Sequence, residues 1–455
     1  MSDSVIVRAG RAALPAGISA ASVWIKGGTI ERIDAFDAKG DGRPEHDAGD
    51  RIVMPGLVDT HVHINDPGRT SWEGFATATR AAAAGGVTTL VDMPLNSIPP
   101  TIDARGVLAK VAALEGNAHV DVGLCGGLVP ANAAQLAELR REGVLAIKCF
   151  TCESGVEEFP HVGEEHLRVA MRQLEDTPLF VHAEMPDQLA RAEAALGPLT
   201  PENERTHARW LASRPMEAEE AAVRMVLEIA AQCGARAHVV HLSASSALPL
   251  LQSARDRGVR LSAETCPHYL TFAAEEIPDG ATAFKCAPPI REAKNRELLW
   301  DAVRQGLITQ VVTDHSPSTL DLKCNDSGDF MRAWGGIASL ELGFSVLHER
   351  AARAGIDLHG MVMRMSAAPA ELVGLQGKKG TLTVGADADL CFWDEGRRRA
   401  IHACELQHKN PITPYEGLTV RGRAVSTWLR GAEIYRLEDD DTQWFAPPQG
   451  RWLRG

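Results

Sequence analysis

Eight short strand-like runs, at 57–61, 87–93, 119–125, 144–150, 179–184, 236–242, 259–265 and 308–314, alternate with helix-like segments through the middle of the chain. No other feature restricts the fold as strongly, because strands separated by helices pair in parallel through crossovers rather than as hairpins. The helical segments carry their own stop signals. The run from Ser71 to Ala84 closes on Gly85-Gly86, and the Ala/Leu/Arg-rich run before Gly143 closes the same way. Eight parallel strands with crossover helices predict an α/β fold, a (β/α)8 TIM-like barrel over 55–379, whose reactive residues gather at the C-terminal ends of the strands. The flanks read differently: Ser4–Arg8, Ser22–Lys26, Gly380–Trp393 and Ala424–Arg430 mix β-branched or aromatic residues with Gly and Asp turns. Residues 1–54 and 380–455 are therefore expected to pair into one small β-sandwich domain formed by both chain ends.

The 455 residues accommodate a barrel of about 250 residues together with an accessory domain. No stretch approaches the roughly 18 apolar residues of a membrane span, and a net charge of −13 argues against a nucleic-acid surface. The triplet Arg397–Arg399 reads as a solvated turn. The start of the chain has neither the basic nor the apolar region of a secretory leader, and nine cysteines are scattered without regular spacing, several inside apolar runs. A cytoplasmic protein with reduced thiols is expected, and Cys149-Phe-Thr-Cys152 reads as a coincidental C-x-x-C pair.

Six polar residues, His61, His63, Lys148, His182, His241 and Asp314, stand at or near the ends of these runs. His61 and His63 are two positions apart, so on a strand they face the same way and can hold one cation together. A lone strand-end histidine is ordinarily a hydrogen-bonded structural residue, but four converging on one rim point to a two-metal hydrolytic site. Lys148 admits two readings. It is either a lysine that reaches out of the barrel mouth or pairs with a carboxylate, or a neutral amine combined with carbon dioxide as a carbamate, an anion able to bridge two cations. Asp314 is the candidate catalytic residue, placed to take a proton from the attacking hydroxide and pass it to the leaving group.

The segments Gly56–His63, Lys148–Phe150, Val181–Glu184, His238–Ser243 and Val312–Pro317 resemble the cyclic amidohydrolases, the dihydroorotase- and dihydropyrimidinase-like family, over nearly the whole chain. The resemblance implies two divalent metal ions per subunit, with zinc expected, and Lys148 carbamylated as N6-carboxylysine. It assigns His61 and His63 with Asp314 to one metal and His182 and His241 to the other, and it selects His241 over neighbouring His238. Relatives also imply a homotetramer.

Flanking residues narrow the substrate. Dihydroorotase-like members carry an arginine two positions after the second histidine, where this chain has Asn65, so the fork that grips a carboxylate is missing. Dihydropyrimidinase-like members place a tyrosine five residues beyond the lysine, where this chain has Glu153. Pro67–Phe75, Met93–Asn96, Lys285–Arg291 and Ala333–Ala338 resemble the branch that opens allantoin, a neutral hydantoin ring with a ureido arm. Hydrolysis of allantoin to allantoate, a step of purine (ureide) degradation, is the expected function. Substrate contacts are expected from Asn65, Asn96, Cys286, Ser316 and the backbone around Gly335. Asn96 equally suits a cap, and Gly335-Gly336 a loop ending before a helix near Ile337. His268 reads as a structural or orienting partner, and His315 is evenly balanced between structure and catalysis. The alternatives are a hydantoinase or dihydropyrimidinase acting on another cyclic amide and, in a different class, a non-catalytic scaffold.

Overall fold

The computed structural model describes residues 4–439 and 441–455. Eight parallel strands follow one another in simple order around a barrel: Leu57–Val62, Val87–Asp92, Asp121–Gly127, Ala146–Phe150, Leu179–His182, Ala237–Val239, Leu261–Thr265 and Gln310–Val311. Almost every residue in them is buried, as expected of a parallel sheet covered on both faces. The outer layer is helical. Its longest helix, Met216–Cys233, buries Ala222, Val223, Val226, Leu227, Ile229 and Ala230, spaced by three and four residues, and ends at Gly234 with φ +66°.

Every strand departs from its expected bounds by at least one residue, and three of the departures are informative. The third lies two residues later than predicted, its added residues pairing with the fourth strand, Gly126 opposite Ile147 and Gly127 opposite Lys148; the end of the chain, Trp452–Leu453, also pairs in parallel with it, Trp452 opposite Val122. The sixth ends at Val239 and the eighth at Val311 because His241 (φ +38°) and Asp314 (φ +46°) adopt left-handed backbone that breaks the ladder. With so short an eighth strand, closure of the barrel falls to side chains and an isolated backbone bridge. Asp59 of the first strand accepts from the Thr313 amide at 3.1 Å and the Thr313 hydroxyl at 2.5 Å. Gln310 Nε2 donates to Thr60 Oγ1 at 3.1 Å, and the His63 amide donates to the His315 carbonyl at 2.8 Å.

The expected helix from Ser71 begins only at Phe75 and runs to Ala84. Glu73, fully buried, accepts from the Lys409 amide and from His315 Nε2, and these contacts hold the 71–74 segment as a turn over the barrel mouth.

Both chain flanks enter a second, nine-stranded sheet. They meet where Leu390–Ala400 pairs antiparallel with Ile52–Pro55, which also lies beside Ser4–Leu14 in parallel. A cluster of buried charge joins this sheet to the barrel: Lys379 Nζ lies 2.6 Å from Asp121, 2.9 Å from Asp387 and 2.8 Å from Asp389, and Arg430 also reaches Asp121. Gly86 marks a second close approach, since a Cβ there would fall 2.5 Å from Cys391 Sγ.

Candidate metal centre

All six polar residues converge on the C-terminal mouth of the barrel. His63, Lys148, His182, His241 and Asp314 line a cavity of about 200 Å³, and His61 lies beneath it, with His61, His241 and Asp314 offering donor atoms within 4.8 Å of one another. His61 and His63 share a face as their spacing requires: Asp314 Oδ1 is 3.3 Å from His61 Nε2 and 3.5 Å from His63 Nε2.

The ring nitrogens sort themselves by partner. His61 Nδ1 lies 2.5 Å from Glu264 Oε1, so this nitrogen carries the proton and Nε2 presents its lone pair to the site. His182 Nε2 lies 2.7 Å from Glu184 Oε2, and its Nδ1 is 3.1 Å from His241 Nε2. Two imidazole nitrogens sharing one tetrahedral cation, with bonds of about 2.0–2.1 Å, sit roughly 3.3 Å apart, so this pair is already at ligand spacing. His238 is occupied on both sides, by Ser262 Oγ at 2.8 Å and Glu264 Oε2 at 3.0 Å, which leaves His241 as the available donor.

Burial favours the neutral form of His63, His182 and His241. It pushes His63 down to about 4 and lowers His182 and His241, and neutral imidazole is the ligating form. Burial alone would raise Asp314, yet His61 and His63 beside it outweigh that and hold it below the ordinary carboxylate value. Glu264 is likewise held low by His61 and His238 against the effect of burial.

Lys148 is the third residue of its strand rather than the last and is fully buried. Its Nζ has no hydrogen-bond partner and faces the Phe150 ring at 5.1 Å, so among the described residues nothing supports a lysine that reaches solvent or pairs with a carboxylate. Burial lowers its pKa. His61 Nε2, His63 Nδ1 and His241 Nδ1 are also buried without hydrogen-bond partners. Such a collection of orphaned donors costs stability unless something binds it, and neutral imidazoles beside a carboxylate are the chemistry of a divalent-metal site. The residues fit the group.

Of the expected substrate contacts, Asn96, Cys286, Ser316 and Gly335 line the cavity and Asn65 does not. Asn65 sits outside the lining, its Nδ2 3.5 Å from the Pro317 carbonyl, in left-handed backbone that asparagine tolerates well. Asn96 is no cap, since Asp103 caps the following helix through the Gly106 amide. Its Oδ1 is buried without a partner. No helix starts near Ile337; the next one is Gly343–Arg353, and Gly336 is packed so tightly that a Cβ would fall 2.2 Å from the Ser316 carbonyl.

His315 is structural, with Nδ1 accepting the Ser339 amide at 3.1 Å and Nε2 3.2 Å from Glu73. His268, buried with both ring nitrogens unpartnered, stands edge-on to Tyr269 at 4.2 Å and shares a donor cluster with Cys266 and Asp314. Burial pushes the thiols of Cys149 and Cys152 up to about 12, so that pair is inert at neutral pH. Sequence reasoning did not single out Glu264, Glu184, Asp59 or Arg214, which orient the site. An acidic residue near the end of the predicted strand 259–265 was the available signal for Glu264.

The model of the amidohydrolase family matches residues 52–434. An allantoinase from Streptomyces avermitilis is 47% identical, with 100% of this chain and 99% of the relative covered, and an allantoinase from Saccharomyces cerevisiae is 46% identical, with 84% and 82% covered. In structure, the chain is similar to the L-hydantoinase (dihydropyrimidinase) from Arthrobacter aurescens, at TM-score 0.91, 28% identity and 99% coverage of both chains. By sequence over most of its length, by barrel, and by the donors gathered at the barrel mouth, this chain belongs to the amidohydrolase family.

Proposed function

We propose that this protein hydrolyses the hydantoin ring of allantoin to give allantoate, in purine degradation. The observation that carries the reading is the complete donor set of six residues around one cavity, in a chain similar along its whole length to an allantoinase. In this reading His61, His63 and Asp314 would hold one divalent cation and His182 and His241 the second, with Lys148, as N6-carboxylysine, as a further anionic ligand. Zinc suits such a histidine and carboxylate set. The cations would supply hydroxide at neutral pH and polarise the attacked carbonyl.

The remaining work falls to side chains. Asp314, held ionised beside His61 and His63, accepts the proton released as water attacks and delivers it to the departing ring nitrogen. Glu264 and Glu184 hold the His61 and His182 rings in the tautomers that point lone pairs inward. Because the substrate is neutral, recognition uses single hydrogen bonds rather than a charge clamp. Asn96, with its unpartnered Oδ1, Ser316, Cys286 and the Gly335 backbone are the contacts this reading assigns, with Asn65 supporting the loop behind them. The neutral amine of Lys148 is the form that adds carbon dioxide, which motivates the carbamate. A homotetramer is inferred from the family resemblance and a cytoplasmic location from the free cysteines; among the described residues no helix is long and apolar enough to cross a membrane.

A second reading, a hydantoinase, draws on the structural likeness at 28% identity. A non-catalytic scaffold is disfavoured because no donor of the set is missing. Ring opening measured in parallel on allantoin, hydantoin and dihydrouracil, with products identified by mass, separates the three. Allantoin is expected to be the best substrate, and a higher kcat/KM on either other ring would overturn the assignment.

A further inference from the structure

Lys285 carries an ammonium that the fold leaves largely unused. The residue is 4% exposed and lines the same cavity as His63, Lys148, His182, His241 and Asp314. Among the described residues its Nζ makes no ion pair, and its one hydrogen bond goes to the Met331 carbonyl at 2.9 Å. The face of the Trp210 indole lies 4.1 Å from Nζ. Three donors are available on an ammonium, so donor capacity remains beside the cavity.

The surroundings hold this group in place without giving it an anionic partner. The Lys285 carbonyl accepts from the Gly336 amide at 2.8 Å and from Lys323 Nζ at 3.3 Å, while Trp210 is tethered through Nε1 to the Cys286 carbonyl at 2.8 Å. Burial, then Lys323 and Arg214, depress Lys285 to about 7, with Asp329 opposing. Arg214 differs in that it is paired with Glu184. A methionine would fill the Lys285 space without the cost of desolvating an unpaired charge. The burden is explained if a ligand supplies the missing acceptor.

We propose that Lys285 is a specificity-determining residue that donates a hydrogen bond to the ureido carbonyl of allantoin, so that the cavity distinguishes this substrate from plain hydantoin. The inference rests on the functional reading above. The metal ligands act on the ring that both compounds share, and the ureido arm is what only allantoin has. One carbonyl oxygen matches one point donor, whereas a carboxylate would call for the bidentate fork of an arginine. A site built to hydrogen-bond a polar arm discriminates strongly against the analogue lacking it.

The test uses the full-length, metal-loaded protein and the variants Lys285→Met and Lys285→Gln, the second keeping a donor in case the first does not fold. Values of kcat and KM are measured on allantoin and hydantoin, with hydantoin read as a competitive inhibitor where its turnover is too slow. The expected result for Lys285→Met is a loss of kcat/KM on allantoin of roughly 10- to 100-fold, at least tenfold greater than the loss on hydantoin, and partly restored in Lys285→Gln. Equal losses on both compounds would reveal a merely structural role and overturn the proposal, as would an unchanged value on allantoin. Wild-type protein that prefers hydantoin would instead overturn the substrate reading on which the proposal depends.

Discussion

At the barrel mouth, burial decides what each ionisable residue can be. His61 is usable as a ligand because Glu264 accepts a hydrogen bond from its Nδ1–H, and the same carboxylate occupies His238 and accepts from Gln310 Nε2 at 3.1 Å. Glu264→Gln keeps the volume but removes the charge that orients two imidazoles. Metal affinity is expected to fall about 10- to 100-fold, read by competition against a chelator; unchanged affinity would remove Glu264 from the account. His207 shows the same physics away from the site. It is buried, with both ring nitrogens unpartnered, edge-on to Phe330 at 5.7 Å, and burial depresses it to about 4. The unfolded imidazole takes its proton near 6.5, so between that pH and about 4 the unfolded chain binds more protons and stability falls as pH falls. His207→Phe should remove part of that slope, at most about 1.4 kcal/mol per pH unit, in denaturant unfolding compared at pH 7 and pH 5. The identity of these residues was partly legible in the sequence, where strand-end spacing marks His61 and His63. The choice of His241 over His238 came from the family resemblance and not from spacing, because it turns on which ring meets Glu264 across strands.

Among the elements, the alternation of strands and helices was readable because hydrophobic period and glycine stops are local properties. The offsets were not. The third strand shifts because its end is set by pairing with the fourth, Gly127 lying opposite Lys148, and the eighth shortens because Asp314 takes left-handed backbone. Non-glycine residues in that region cost on the order of 1–3 kcal/mol each, and at His241 and Asp314 this strain aims donor atoms into the cavity. Another long-range device joins the sheet to the barrel, where Lys379 is enclosed by Asp121, Asp387 and Asp389. Lys379→Met leaves those carboxylates buried with less compensation. A loss of about 3–5 kcal/mol in urea unfolding is expected, and a loss under 1 kcal/mol would show that Arg430 alone suffices to balance Asp121.

For the whole molecule, both chain flanks close one sheet beside a barrel whose mouth concentrates unpaired buried donors. The architecture thus stores a binding deficit at one place, which a ligand that prefers the folded state relieves. Adding divalent metal to stripped protein should therefore raise the unfolding temperature, by an amount that grows with the ratio of free metal to Kd. The same deficit bears on the reaction, because nothing else among the six residues explains why Lys148 is buried without a partner. The most direct test of the account is a stoichiometric titration of zinc, with bicarbonate present, into chelator-stripped protein, following allantoin ring opening. Activity that is absent in the stripped protein and saturates at two equivalents per chain is the predicted result. Full ring-opening activity without metal, or saturation at one equivalent, would contradict it.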